Sequence, residues 1–218
     1  MESIPALDGW NIYMLGFLYG FSMMPVALDH LFTDELWAIA YFRVRNGSVD
    51  GMLIRPVPVL FQVIAETFQP EGFGELIVGV VMLVLCSFKV SINWNFASVF
   101  MLVTASVFGA VVITSFKIIF SSMAFKFKRS GPLLQIAYNF ISYTRYPMSI
   151  YPAFLRAMLT FVFPFAVIIS LPVEVFFGVI NFSPYLVSII ITGVAAILLP
   201  VAIVIWSAFL KTYESTGS

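Results

Sequence analysis

The stretch FASVFMLVTASVFGAVVITSFKIIF, residues 96–120, decides the class of fold. Only small and hydroxyl side chains interrupt it, with one basic residue, Lys117, near its end. A helix that crosses the hydrocarbon of a bilayer needs about 20 mostly apolar residues, and this run supplies them. The rest of the chain agrees. Of 218 residues only 10% are charged, where soluble chains carry about 25%, and mean hydropathy is +1.02. The 24 Phe suit a lipid-facing or tightly packed helical bundle. The chain therefore reads as an all-α polytopic membrane protein.

Working outward, four more segments are apolar enough to matter. Residues 10–28 form a first span and 73–89 a second, ahead of 96–120. Residues 184–210 form the last. Between the last two lies a Pro-rich region, 131–182, that can be drawn two ways. In one, 130–150 lies on the cytoplasmic surface and 153–177 crosses. In the other, 131–148 crosses and about 150–180 forms outer-face half-helices broken at Pro164. Both give five crossings. Irregular backbone at membrane depth requires protein or a wet cavity to satisfy it.

Lys and Arg favour the cytoplasmic side. Arg43, Arg45 and Arg55 follow the first span, Lys126, Lys128 and Arg129 the third, and Lys211 the last; Lys89 is the exception. Met1 should then face outside, and residues of about 30–70, the 126–129 cluster and the C-terminus should face the cytoplasm. The start, Met1-Glu2-Ser3-Ile4-Pro5, has no basic region and does not read as a signal peptide. Asn93, Trp94 and Asn95 read as an outer turn with an interfacial Trp.

One compact polar island interrupts the oil, Gly47-Ser-Val-Asp50-Gly-Met-Leu53-Ile-Arg55-Pro56-Val57-Pro-Val-Leu60-Phe-Gln62. Gly47 and Gly51 permit turns, Asp50 could cap a short helix running to Ile54, and Pro56 and Pro58 would stop it. By itself this is an ordinary solvated loop. A second motif is Arg145-Tyr-Pro-Met-Ser-Ile-Tyr-Pro152-Ala-Phe-Leu155-Arg156-Ala-Met-Leu-Thr160-Phe-Val-Phe-Pro164-Phe-Ala166. Both motifs in order, with the ending Tyr213-Glu-Ser-Thr-Gly-Ser218, resemble the ABC-2-like permease family, the membrane subunits of ATP-binding-cassette exporters. The resemblance runs from about Leu7 onward.

The resemblance implies an ABC-2-type (type V exporter-like) transmembrane domain in a bacterial plasma membrane. It implies that the island is a coupling helix whose Gly47, Asp50, Leu53, Arg55 and Pro56 meet the ABC ATPase subunit. It also implies two copies of that ATPase, with ATP and Mg bound there, and a second permease, identical or homologous. It favours 131–148 as the penultimate span, with 153–177 as the outer-face pair. Family members usually carry a further helix ahead of this chain's start, so the first helix is lost or the chain begins at an internal start.

Other residues are candidates on their chemistry. Arg145, Tyr146, Tyr151 and Arg156 could line a substrate pathway or outer gate, because a charge at the bilayer centre costs about 2.5–3.5 kcal/mol on insertion scales and needs a partner; snorkelling to headgroups is the plainer alternative. Glu71 and Glu75, before the second span, could line access from the cytoplasm, or simply form a polar helix start. Residues 29–45 read as an interfacial amphipathic helix or as a continuation of the first span. Lone His30 reads as interfacial, and lone Cys86 as a small apolar side chain.

Zero net charge gives nucleic acid nothing to bind. One Cys excludes a disulfide framework or Cys-rich metal site. No Walker A, His-Glu-x-x-His or Cys–His pattern is present, so ATP hydrolysis would belong to a partner. Membrane lipids are the remaining expected partner, and an amphipathic or lipid-like substrate suits the missing polar lining. An intramembrane lipid-handling enzyme would need ionisable residues clustered at one depth. A scaffold subunit is the other alternative.

Overall fold

The computed structural model describes residues 9–90, 92 and 94–215; Met1, Leu7, Asn93 and residues 216–218 lie outside them. The described chain is all-helical. Three helices are long and apolar enough to cross a membrane, and up to five spans result if each of two bent pairs counts as one.

Helix α1 (Ile12–Thr33) starts where Asn11 accepts the amide hydrogens of Tyr13 and Met14 at 3.0 and 2.9 Å. It continues five residues past Leu28, through the start of the segment read above as interfacial. Two short elements follow, α2 (Glu35–Ala38) and a π-helical turn, Ile39–Arg43. This elbow buries Leu36, Ile39 and Ala40, while Phe42 stays 52% exposed, so most but not all of the segment's apolar positions face protein. Arg43 pairs with Glu35 and with Glu66, both at 2.5 Å, and Thr67 donates to Glu35 at 2.8 Å. That network ties the elbow to α4 (Val59–Glu66). The intervening island carries α3 (Ser48–Leu53).

Helix α5 (Glu71–Ser87) bends 70° from α4 and returns along α1. The two approach until backbone meets backbone. A Cβ on Gly20 would lie 2.8 Å from the Gly79 carbonyl oxygen, and one on Gly79 would lie 2.9 Å from that of Gly20. Small residues at this spacing are how helices close up in lipid, where apolar side chains gain nothing by leaving the solvent.

Helix α6 (Phe96–Ser122) opens with a reciprocal cap between Asn95 and Ser98. Its buried hydroxyls bond back within the helix, Thr104 to the Phe100 carbonyl at 2.6 Å and Ser115 to that of Val111 at 2.7 Å. A hydroxyl-bearing helix can therefore sit centrally, packed on α1 and on α12 (Pro184–Leu210). On α12, Ile189, Ile197 and Val204 remain 67–68% exposed, as a lipid-facing helix should.

After α6 come α7 (Ala124–Phe127) and α8 (Gly131–Tyr143). At 13 residues, α8 is about 20 Å long, shorter than the segment 131–148. The Pro-rich region then forms α9 (Ala153–Ala157), a π-helical turn Met158–Val162, α10 (Phe165–Ile168) and α11 (Ser170–Phe176). The chain bends 77° between Val162 and Phe165, where Pro164 removes an amide donor.

Candidate functional site

The polar island folds as a short helix with two different faces. Gly47 sits in the left-handed region at φ 69°, a conformation that Gly adopts without a Cβ clash. Helix α3 starts directly after it, three residues earlier than a cap at Asp50 would give. Asp50 instead lies in the first turn, where the helix dipole favours a carboxylate, and accepts the Ser215 hydroxyl at 2.7 Å. Its capping role is thereby corrected: the side chain holds the C-terminal tail. Burial, with the Asp50 carboxylate beside it, pushes the Tyr213 phenol up to about 12.

The inner face of α3 carries Val49 and Met52, which join one buried cluster with Val63 of α4, Ile118 of α6, Phe125 of α7 and Trp206 of α12. Phe125 meets Trp206 edge-on at 4.9 Å. The outer face is apolar and open: Leu53 is 46% exposed, Ile54 86% and Val57 39%, with Arg55 and Pro56 exposed among them. Gln62 pins this knob by donating to the carbonyls of Met52 and Val57 at 2.9 and 2.7 Å. Gly47, Asp50, Leu53, Arg55 and Pro56 thus lie on one small body, with Asp50 turned toward the tail and Leu53, Arg55 and Pro56 toward solvent.

A second constellation was not read from the sequence. Asp29 of α1 and Lys117 of α6 pair at 2.6 Å with both side chains 0% exposed. Asp29 also accepts the hydroxyls of Thr33 at 2.6 Å, Thr114 at 2.7 Å and Tyr138 of α8. Lys117 reaches Asp34 at 3.0 Å and lies over the Tyr138 ring. His30 stacks on the Tyr138 ring and bonds Glu75 at 2.9 Å. Glu75 is thereby engaged with α1, while Glu71 stays exposed at the start of α5. The signal was present: Asp29 lies four residues before the end of α1, Lys117 five before the end of α6. Two opposite charges at one depth on parallel spans are expected to pair. This cluster sits at one depth, as an intramembrane enzyme would need, but its ion pair is closed to any substrate.

Toward the other end of α1, Arg145 and Tyr146 line a groove of about 640 Å³ with Tyr13, Tyr19, Met82 and Cys86. The Arg145 guanidinium lies 5.4 Å from the centre of the Tyr19 ring. Tyr151 is one residue removed, its ring edge-on to Tyr143 and its hydroxyl donating to the Tyr143 carbonyl at 2.9 Å. Arg156, on α9, is exposed and does not line this groove. Among the described residues no group of three or more His, Cys, Asp or Glu could hold a metal.

The chain is thus an all-helical body with several candidate membrane spans and an open apolar knob on α3. A family model described as "ABC-2 family transporter protein" matches residues 1–217, and the chain belongs to that family. It is a family of non-catalytic permeases that generally pair with ABC ATPases. No curated protein and no solved structure matches the chain.

Proposed function

We propose that this chain is the permease subunit of an ATP-driven exporter in a bacterial plasma membrane, with its C-terminus in the cytoplasm. Its substrate is amphipathic, lipid-like or drug-like. ATP is hydrolysed on a separate ATPase present in two copies, and a second permease, identical or homologous, completes the complex. The observation that supports this reading is the division of α3. Val49 and Met52 fasten it to a cluster that includes residues of α6 and α12, while Leu53, Ile54 and Val57 stand open beside Arg55. Contiguous exposed apolar side chains mark interaction sites, and Arg is the charged residue most often found as an interface anchor. A body docked on that knob would move the buried face, and with it the ends of two long helices.

The test is ATP turnover by the purified permease–ATPase complex in lipid vesicles. Arg55→Glu and Ile54→Asp are each expected to cut substrate-stimulated turnover about 30-fold, since truncated anchors cost about 2 kcal/mol or more. The permease itself should stay folded, because both side chains are exposed. Unchanged turnover in both variants, or a wild-type permease that supports no ATP-dependent transport, would end this reading.

A further inference from the structure

The groove beside Arg145 has a chemistry that the coupling reading leaves unused. Its walls come from α1 (Leu15, Gly16, Tyr19) and α5 (Met82, Cys86), and the chain just after α8 closes one end with Arg145 and Tyr146. Tyr19 lies seven residues inside α1, about 10 Å from the helix start. The guanidinium over its ring therefore packs beside the body of α1, about two turns from the helix start. Two other basic side chains in the helical body have acidic partners: Lys117 has Asp29 and Asp34, and Arg43 has Glu35 and Glu66. Arg145 has none among the described residues. Among the described residues no acidic side chain lines the groove, and the charge-directed contact of Arg145 is with the Tyr19 ring.

A partly buried Arg in a mostly apolar groove without a counter-ion carries an unmatched charge, and its planar fork of donors matches phosphate and carboxylate. The volume lies within the roughly 300–1,000 Å³ of ligand pockets, and the rest of the wall is mostly apolar or aromatic. We propose that this groove binds an anionic amphiphile, with a phosphate or carboxylate headgroup on Arg145 and an apolar chain along Leu15, Gly16, Met82 and Cys86. This deepens the transport reading by naming the substrate class and rests on it for its role. Binding itself can be tested without any ATPase, so a failure here is distinguishable from a failure of coupling.

Cys86 is the chain's one cysteine and lines the groove, so its maleimide labelling rate reports occupancy. The full-length protein, held in zwitterionic nanodiscs, is titrated with lysophosphatidic acid and with the lysophosphatidylcholine of the same acyl chain. Lysophosphatidic acid is expected to slow labelling at concentrations roughly 10- to 100-fold lower, as a charge-assisted bond implies. Arg145→Gln should abolish that preference and leave the weak choline-lipid effect, and Arg145→Lys should keep part of it.

Equal protection by both lipids, or a preference that survives in Arg145→Gln, overturns the proposal. So does equal protection by inorganic phosphate, which would make this a soluble-anion site. A Cys86 that resists labelling before lipid is added, in proportion to protein density, would mean that a second copy covers the groove, and also overturns it. Should Arg145→Gln not fold, the comparison of the two lipids on the wild-type protein decides.

Discussion

Lys117→Met is expected to remove a large share of the stability of the folded chain. The Asp29 carboxylate and the Lys117 ammonium are both 0% exposed and 2.6 Å apart. Removing one member of a buried pair leaves the other uncompensated and costs about 3–5 kcal/mol, against about 5–15 kcal/mol for a whole domain. Asp29 would keep its hydroxyl donors Thr33, Thr114 and Tyr138 but would have no other cation. The converse variant, Asp29→Asn, should cost less, because Lys117 retains Asp34 at 3.0 Å and that carboxylate is 31% exposed.

The double variant, Asp29→Asn with Lys117→Met, should then be more stable than Lys117→Met alone, since no buried charge is orphaned. Thermal unfolding in detergent, followed by the monodisperse fraction remaining after heating, checks the order: wild type, then Asp29→Asn, with Lys117→Met lowest and the double variant above it. A Lys117→Met protein as stable as the wild type, or a double variant no better than it, would show that the pair is not what holds α1 to α6 at this depth.

What could be read from the sequence and what could not have physical reasons. Apolar length marks a span directly, and α6 and α12 fall close to the runs at 96–120 and 184–210. The end of α1 was harder, because Asp29 and His30 look like surface residues until their partners are known. Asp29 is buried only because Lys117, Thr114 and Tyr138 arrive from helices 85 to 109 residues away. Such long-range neutralisation leaves no trace in local hydropathy. Asp50 shows the same limit on a smaller scale. Its position suits a cap, yet the acceptor is used by Ser215, 165 residues on. The island's residue types did disclose a short helix between a Gly and two prolines, because those constraints are local. The groove around Arg145 was only half legible: the Arg and Tyr stood out in the sequence, while its α1 and α5 walls depend on how those helices cross.

That crossing supplies the second large expected effect. Gly16 and Gly20 lie one turn apart on α1, and Gly72, Gly79 and Cys86 follow one another at steps of seven on α5, so each set shares a helix face. A Cβ at Gly20 would sit 2.8 Å from the Gly79 carbonyl oxygen and 2.9 Å from the Leu83 amide nitrogen. Both obstacles are backbone and cannot swing aside, so the helices must separate. Gly20→Ala is expected to cost about 1–3 kcal/mol, the usual range for forced overpacking, and Gly20→Leu to yield little folded protein. A general helix-propensity effect would run the other way, since Ala is favoured over Gly in a helix by up to about 1 kcal/mol. Gly193→Ala on α12 and Gly74→Ala on α5 isolate that effect, because nothing lies within 4 Å of a Cβ at either site. Both should be neutral or slightly stabilising in the same thermal assay, while Gly20→Ala falls below the wild type. Equal behaviour of Gly20→Ala and Gly193→Ala would mean that α1 and α5 do not meet backbone to backbone, and the groove walls formed by Gly16, Met82 and Cys86 would then have to be drawn differently.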